Sequence, residues 1–209
     1  MKKKIPLLCI ALGVVLLIIG LVIPSASDKG GFVAMAKVLP EDIGEFYFFD
    51  VGALQSDKDL QTIWSSVKDS YLEDGIYGED IGNVTTLALA GTDANISIYA
   101  GNFDLESVKS EIEQSSLESY EYEGVVIWID QYEYGTAVID NMIFHGITED
   151  IRKCINSSIG NGASLYSDRD VSDVISRLPS GYLLGVVRLG DDDVAAEDYG
   201  LLAVGMAAF

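Results

Sequence analysis

Two neighbouring stretches decide the fold: SYEYEGVVIWID, residues 119–130, and TAVIDNMIFHG, residues 136–146. Each contains two runs that are rich in β-branched and aromatic residues, the composition typical of β-strands. The pair Glu123-Gly124 divides the first stretch and the pair Asp140-Asn141 divides the second, and both pairs tolerate the positive φ angles of tight hairpins. The two stretches therefore predict a four-stranded antiparallel meander.

Helices and further strands flank this meander. Helices with an apolar stripe are predicted to begin at Ser56, Asp104, Thr148 and Asp170. The stripes of 60–71, which includes Trp64, and of 105–112 are expected to cover one face of a common sheet. Further strands are predicted in EFYFFDV, VTTLALAG, NISIYAG, GYLLGVVRLG and GLLAVGMAAF. The predicted fold class is therefore α+β, an antiparallel sheet of hairpins with short helices packed on it.

The N-terminus predicts a membrane anchor. Lys2, Lys3 and Lys4 precede the uncharged run from Ile5 to Ile23, and a helix of about 20 apolar residues spans a bilayer. Basic residues remain on the cytoplasmic side, so the chain after this run is expected outside the cell membrane as a single-pass protein. The alternative is secretion after cleavage near Ser27. Lipidation of Cys9 is disfavoured because PLLC lacks a small residue before the cysteine.

Charge excludes one class of partner. The net charge is −20, and all 33 acidic residues follow the apolar run. Such a surface repels nucleic acid, so no nucleic-acid partner is expected. Cys154 is the only cysteine after the anchor, so no disulfide is expected within the external part. Asn83, Asn95 and Asn156 begin Asn-x-Ser/Thr triplets and are predicted glycosylation sites if the host has the machinery.

The domain organisation follows from composition and from one internal similarity. Residues 1–27 are predicted as the signal-anchor, 28–37 as a flexible tether and 38–177 as the α+β domain. The segment SRLPSGYLLGVVRLG repeats the order of KVLPEDIGEFYFFDVG: Leu-Pro, spacer, β-rich run and glycine. We interpret this as a partial internal duplication, and the alternative is that Leu-Pro before a strand recurs by chance. Residues 178–209 would then begin a second, truncated or vestigial repeat that completes the sheet.

These segments carry a resemblance to a known group of proteins. The basic apolar anchor, LPEDIGEFYFFDV, AGNFDLESVKSEIE, YEYEGVVIWI and RLPSGYLLGVVRLG occur in that order. The chain resembles a family of membrane-anchored extracytoplasmic prokaryotic proteins whose domain is of unknown function. The resemblance covers roughly 38–190 and implies the α+β architecture. It implies no catalytic or binding residues.

No pattern in the sequence predicts catalysis, a metal site or a cofactor. His145 and Cys154 lie among apolar neighbours and are predicted to be structural. Acidic pairs such as 57/59, 79/80 and 149/150 are expected by chance in a chain this acidic, and the run 191–193 is interpreted as a solvated turn, with Ca²⁺ binding as the alternative. The most promising binding feature is a set of tyrosines on or near the meander, predicted as a ligand or partner surface, with burial in the core as the competing interpretation: Tyr120, Tyr122, Tyr132 and Tyr134.

Three functions remain open. The first is a non-enzymatic interaction or structural protein of the cell envelope, anchored in the membrane and contacting other envelope proteins. The second is a surface module that binds a small ligand or carbohydrate. The third is a hydrolase that uses two carboxylates, which would have to face each other across one pocket.

The predicted topology has a direct test. Protease added to intact cells is expected to digest the chain after Lys29 and to leave a small membrane-bound stub. Full protection in intact cells, with digestion only after lysis, would contradict the predicted orientation.

Overall fold

The computed structural model describes residues 30–71, 83–91, 95–178 and 181–187. Within them, eight strands form one antiparallel sheet and six α-helices lie on its two faces. The strands are β1 (Glu45–Asp50), β2 (Val84–Ala90), β3 (Ile96–Gly101), β4 (Glu118–Tyr122), β5 (Val125–Ile129), β6 (Tyr134–Ile139), β7 (Met142–Ile147) and β8 (Leu183–Val187). The helices are α1 (Gly30–Val38), α2 (Val51–Ser56), α3 (Gln61–Tyr71), α4 (Leu105–Gln114), α5 (Thr148–Ser158) and α6 (Arg169–Arg177). The α+β class is thus confirmed.

The sheet order is β4-β5-β6-β7-β3-β2-β1-β8. The meander β4 to β7 forms as predicted, with Glu123, Gly124 and Asp140 at positive φ in its turns. The β-rich runs after the two Leu-Pro sequences become β1 and β8, which pair with each other: Phe46 lies opposite Val186 and Phe48 opposite Leu184. The predicted strand GLLAVGMAAF lies outside the described residues.

One face of the sheet, called the first face, is covered by α1, α5 and α6. Side chains alternate between the faces along each strand, and the first face receives Phe46, Phe48, Ile98 and Phe144, all buried. Ile151, Cys154 and Ile155 of α5 pack into the same apolar cluster.

The second face is covered by α2, α3 and α4. Val67, Val108 and Ile112 share one buried cluster with Leu87 and Tyr99 of the sheet. The prediction that the stripes of 60–71 and 105–112 cover one face is therefore confirmed. Trp64 is only half-buried, so removing its ring should destabilise the fold less than removing a fully buried one.

The predicted tether 28–37 is wrong from Gly30 onward, because these residues form α1. Phe32 is fully buried and stacks on Phe46 with the ring centroids 4.8 Å apart. Gly31 lets the helix approach the ring of Phe48, which would lie 3.1 Å from a Cβ at this position. The adjacent glycines of this segment suggested flexibility, whereas one of them serves close packing.

Two predicted helix starts are also wrong. Ser56 ends α2 rather than capping a helix, and α2 is capped by Asp50, whose Oδ1 accepts a 2.9 Å hydrogen bond from the amide of Ala53. Helix α6 is capped by Asp168 rather than Asp170. The predicted starts at Asp104 and Thr148 are confirmed, and the Asp104 side chain accepts from the amide of Ser107.

Two glycines let helices leave the sheet. Gly101 ends β3 before α4, and Gly146 lies near the end of β7 before α5. A Cβ at Gly101 would collide with the carbonyl of Asn83, and one at Gly146 would collide with the carbonyl of Asn95. Glycine is therefore required at both strand exits by the neighbouring backbone.

None of the helices within 30–71, 83–91, 95–178 and 181–187 is long and apolar enough to cross a membrane. The predicted anchor from Ile5 to Ile23 lies outside these described residues.

The role of Gly101 gives a stability prediction. Gly101→Ala should lower the free energy of unfolding by about 3 kcal/mol, the upper end of the usual range for overpacking, because backbone atoms must move. Gly44→Ala is the matched control, since a Cβ there meets no atom within 4 Å. Chemical denaturation of both variants gives the comparison, and equal stabilities would refute the packing requirement at Gly101.

Candidate functional site

The structure divides the four predicted tyrosines into two groups. Tyr120 and Tyr122 lie on β4 and are half-buried beneath α5. Tyr132 and Tyr134 lie at the turn between β5 and β6, where they are exposed. The predicted surface therefore consists of one structural pair and one exposed pair.

Arg152 and Asn156 of α5 cover the structural pair. The Nε of Arg152 donates a 2.7 Å hydrogen bond to the hydroxyl of Tyr120, and its guanidinium lies over the rings of Tyr120 and Tyr122 at 5.1 and 5.5 Å. The hydroxyl of Tyr122 contacts the side-chain amide of Asn156, whose Nδ2 lies 3.0 Å away. These contacts fasten the edge strand to the helix. For Tyr120 and Tyr122, the competing interpretation of burial in the core describes the structure better.

Hydrogen bonds hold the backbone of the β5–β6 turn. Oδ1 of Asp130 accepts hydrogen bonds from the amides of Tyr132 and Tyr134 at 2.8 and 2.9 Å. The carbonyl of Glu133 accepts two more from Thr148, from its hydroxyl at 2.7 Å and from its amide at 3.1 Å. The turn is thereby tied both to its own strand and to the first residue of α5. Glu133 has a φ of 65°, which is uncommon for a residue other than glycine.

The tyrosines of this turn differ in how they are placed. The side chain of Tyr132 is 72% exposed and that of Tyr134 is 41% exposed. The ring of Tyr134 lies on the second face beside His145, with the centroids 6.1 Å apart. Tyr132 is thus the protruding group, and Tyr134 lies lower against the sheet.

A cleft of about 250 Å³ opens next to the turn. Its apolar lining comes from Ile129 and Ile147, and its polar lining from one threonine, two carboxylates and one guanidinium: Thr148, Glu133, Glu149 and Arg152. No pattern in the sequence predicted this cleft. Only the sheet register brings Ile129 and Glu133 to the start of α5, and no local pattern connects Arg152 with tyrosines that lie 30 or more residues earlier in the chain.

His145 is half-buried on the sheet, and Cys154 lies in the apolar cluster of the first face. The Nδ1 of His145 lies 3.1 Å from the hydroxyl of Thr136, which is almost fully buried. Burial lowers the pKa of His145, and the charge of Asp130 partly offsets this effect. Cys154 is fully buried, and the loss of solvent raises the pKa of its thiol. An un-ionised buried thiol is a poor nucleophile.

The acidic pairs serve local structure. Asp57 caps a short 3₁₀ turn by accepting a 2.8 Å hydrogen bond from the amide of Asp59. Glu149 and Asp150 lie in the first turn of α5, where Arg152 and Lys153 are their respective ion-pair partners. In the part of the chain that the structure describes, no cluster of three or more His, Cys, Asp or Glu side chains could hold a metal ion. Residues 79, 80 and 191–193 lie outside that part.

The three predicted glycosylation sites lie in different settings. The side-chain amide of Asn156 is engaged by Tyr122, so modification there would break this contact. Asn83 and Asn95 lie directly before β2 and β3, and their carbonyls accept hydrogen bonds from the amides of Asn102 and Ile147. These contacts involve the backbone and do not test modification of the side chains, so glycosylation of Asn83 and Asn95 stays a prediction.

Comparison with known proteins yields distant structural similarity only. No protein-family model and no curated protein matches the chain. Crystal form III of TP0453 has a TM-score of 0.39 at 9% sequence identity, covering 74% of this chain and 63% of that one. Crystal form I of TP0453 has a TM-score of 0.44 at 7% identity, covering 75% and 63%. The chain thus spans less than two thirds of the length of TP0453, and similarity at this level supports no argument about function.

The half-buried His145 gives a pH prediction. Its pKa in the folded chain should lie below the ordinary 6.5, because burial penalises the charged ring. The unfolded chain then binds the proton more readily, so the contribution of His145 to stability is complete above pH 6.5 and is lost as the pH falls below it. His145 is the only histidine, so its NMR titration is unambiguous.

His145→Asn is the control for the carboxylates, which also titrate in acid. The wild-type protein should lose more unfolding free energy than this variant between pH values just above and well below 6.5. A folded-state pKa above 6.5 would contradict the prediction.

Proposed function

We propose that this chain is a non-enzymatic interaction domain of the cell envelope that binds a partner protein through the β5–β6 turn. One observation carries the proposal: Tyr132 is 72% exposed, although the backbone on which it stands is fixed by Asp130 and Thr148. A large aromatic side chain that is held in solvent exposes apolar surface to water, and this exposure does not stabilise the fold. A partner that covers the ring would remove this surface from water and stabilise the complex.

Rigid tyrosines are effective contact groups. A tyrosine offers a large amphipathic surface with few rotatable bonds, so little conformational entropy is lost when a partner covers it. Backbone that is already ordered lowers the cost of association further. Tyr134, which is 41% exposed beside Tyr132, extends the same surface toward the second face of the sheet.

The two residues that most often serve as nucleophile or base support the non-enzymatic assignment. Cys154 is fully buried in the apolar cluster of the first face. His145 faces Thr136 and lies beneath Tyr134, so neither residue lies in the cleft beside the turn. The cleft does contain two carboxylates, but Glu149 is paired with Arg152.

The remaining parts of the proposal rest on the sequence. The basic cluster and the apolar run from Ile5 to Ile23 support a single membrane anchor with the described residues on the outer side. The similarity around the two Leu-Pro sequences supports a partial internal duplication beginning near residue 178. The resemblance to membrane-anchored extracytoplasmic prokaryotic proteins agrees with this arrangement.

A second candidate function is the binding of a small polar ligand or carbohydrate. The cleft favours it, because Thr148, Glu149 and Arg152 offer donors and acceptors above an apolar surface. Its volume of about 250 Å³ lies just below the usual range for small-molecule sites, about 300–1,000 Å³. A cleft of this size suits one side chain of a partner protein better than a small-molecule ligand, so we prefer the interaction domain as the function.

Site-specific photo-crosslinking in the producing cells tests the proposal. A photoreactive phenylalanine analogue in place of Tyr132 should give a crosslink to one recurrent envelope protein, and Tyr134→Ala should weaken that crosslink. The same analogue in place of Glu113, an exposed residue of α4, is the control. Equal crosslinking from both positions, or none from position 132, would refute the proposed surface.

A further inference from the structure

We propose that the cleft beside the β5–β6 turn receives a basic side chain of the partner, with a lysine as its best occupant. This inference rests on the proposed function and specifies the partner: a protein segment that presents an exposed lysine or arginine next to the surface that contacts Tyr132. The cleft is lined by Ile129, Glu133, Ile147, Thr148, Glu149 and Arg152.

The shape of the cleft fits a long side chain with an apolar stem. Ile129 and Ile147 are half-buried and provide apolar lining, whereas Glu133 and Glu149 are exposed. Lysine and arginine bury their methylene stems along apolar surface and keep the charged end in a polar environment. A volume of about 250 Å³ accommodates one such side chain.

The charges of the cleft favour a cation. None of the ion pairs among the described residues involves Glu133. Among the described residues Glu149 pairs with Arg152, at 3.5 Å, and the Glu149 side chain is 66% exposed. Two carboxylates therefore face one guanidinium, and the whole chain carries a net charge of −20. A basic partner would be attracted over a distance and then held at the cleft.

The guanidinium of Arg152 is already engaged. Its Nε donates to the hydroxyl of Tyr120, and its plane lies over two tyrosine rings. These contacts hold the positive charge at the β4 side of the cleft and leave Glu133, on the turn, as the free carboxylate.

The competing occupant is an anion bound by Arg152. Its guanidinium makes two hydrogen bonds to described residues and has five N–H donors, so donors remain. The two carboxylates oppose this alternative, because a second anion would lie near both of them. The experiment below separates the two occupants.

Titration of the ¹⁵N-labelled full chain in detergent tests the inference. The probes are the capped peptides Gly-Gly-Lys-Gly-Gly and Gly-Gly-Glu-Gly-Gly. The lysine peptide should give saturable shifts of the backbone amides of Glu133, Ile147 and Glu149, which weaken as salt is added. Glu133→Gln and Glu149→Gln should each raise its Kd by about two- to fivefold, the effect of losing one exposed ion pair.

Glu113→Gln is the matched control, because it removes the same charge from an exposed position on α4. An equal effect of Glu113→Gln would show diffuse attraction to the acidic surface and overturn the inference. Binding of the glutamate peptide that is lost in Arg152→Gln would overturn it in favour of an anion. Absence of any saturable shift would also overturn it, while a specific crosslink from position 132 would leave the proposed interaction surface standing.

Discussion

The constraint that governs this structure is that both faces of one antiparallel sheet are buried. Phe46, Phe48 and Phe144 fill the first face, and Leu87, Tyr99 and Trp128 fill the second. A sheet of this kind needs helices on both sides, because an uncovered face would leave its apolar side chains exposed to water. The chain supplies them by sending α1, α5 and α6 to one side and α2, α3 and α4 to the other.

This arrangement also places the proposed contact surface. Helix α5 begins one residue after β7 ends, so its first residue, Thr148, lies beside the β5–β6 turn and bonds to Glu133. Further along the helix, Arg152 and Asn156 bind the tyrosines of β4. One helix thus secures the edge strand and supports the exposed turn. The cleft results from the same geometry, since its lining comes from β5, the turn, the end of β7 and the start of α5.

Local patterns predicted much of the fold and little of the site. Hairpins such as β4–β5 and β6–β7 follow from alternation and turn residues that lie close together in sequence, and both formed. Helix α1 was missed because Gly30 and Gly31 suggested a tether, whereas the burial of Phe32 against Phe46 depends on residues that only the fold brings together. The tyrosines form a local pattern that the sequence shows, whereas their contact with Arg152 joins residues about 30 positions apart and depends on the fold. Exposure of Tyr132 and burial of Tyr120 depend on which element packs above each strand.

The central claim is that Tyr132 stands on a turn that is already rigid before any partner binds. ¹⁵N relaxation of the full chain measures this property directly, through the order parameters of the amides of Tyr132, Glu133 and Tyr134. The amides of Tyr132 and Tyr134 donate to Asp130 and the carbonyl of Glu133 accepts from Thr148, which predicts values near those of rigid backbone, about 0.85. Values below roughly 0.6, typical of flexible loops, would show that the turn is not preorganised and would contradict the account.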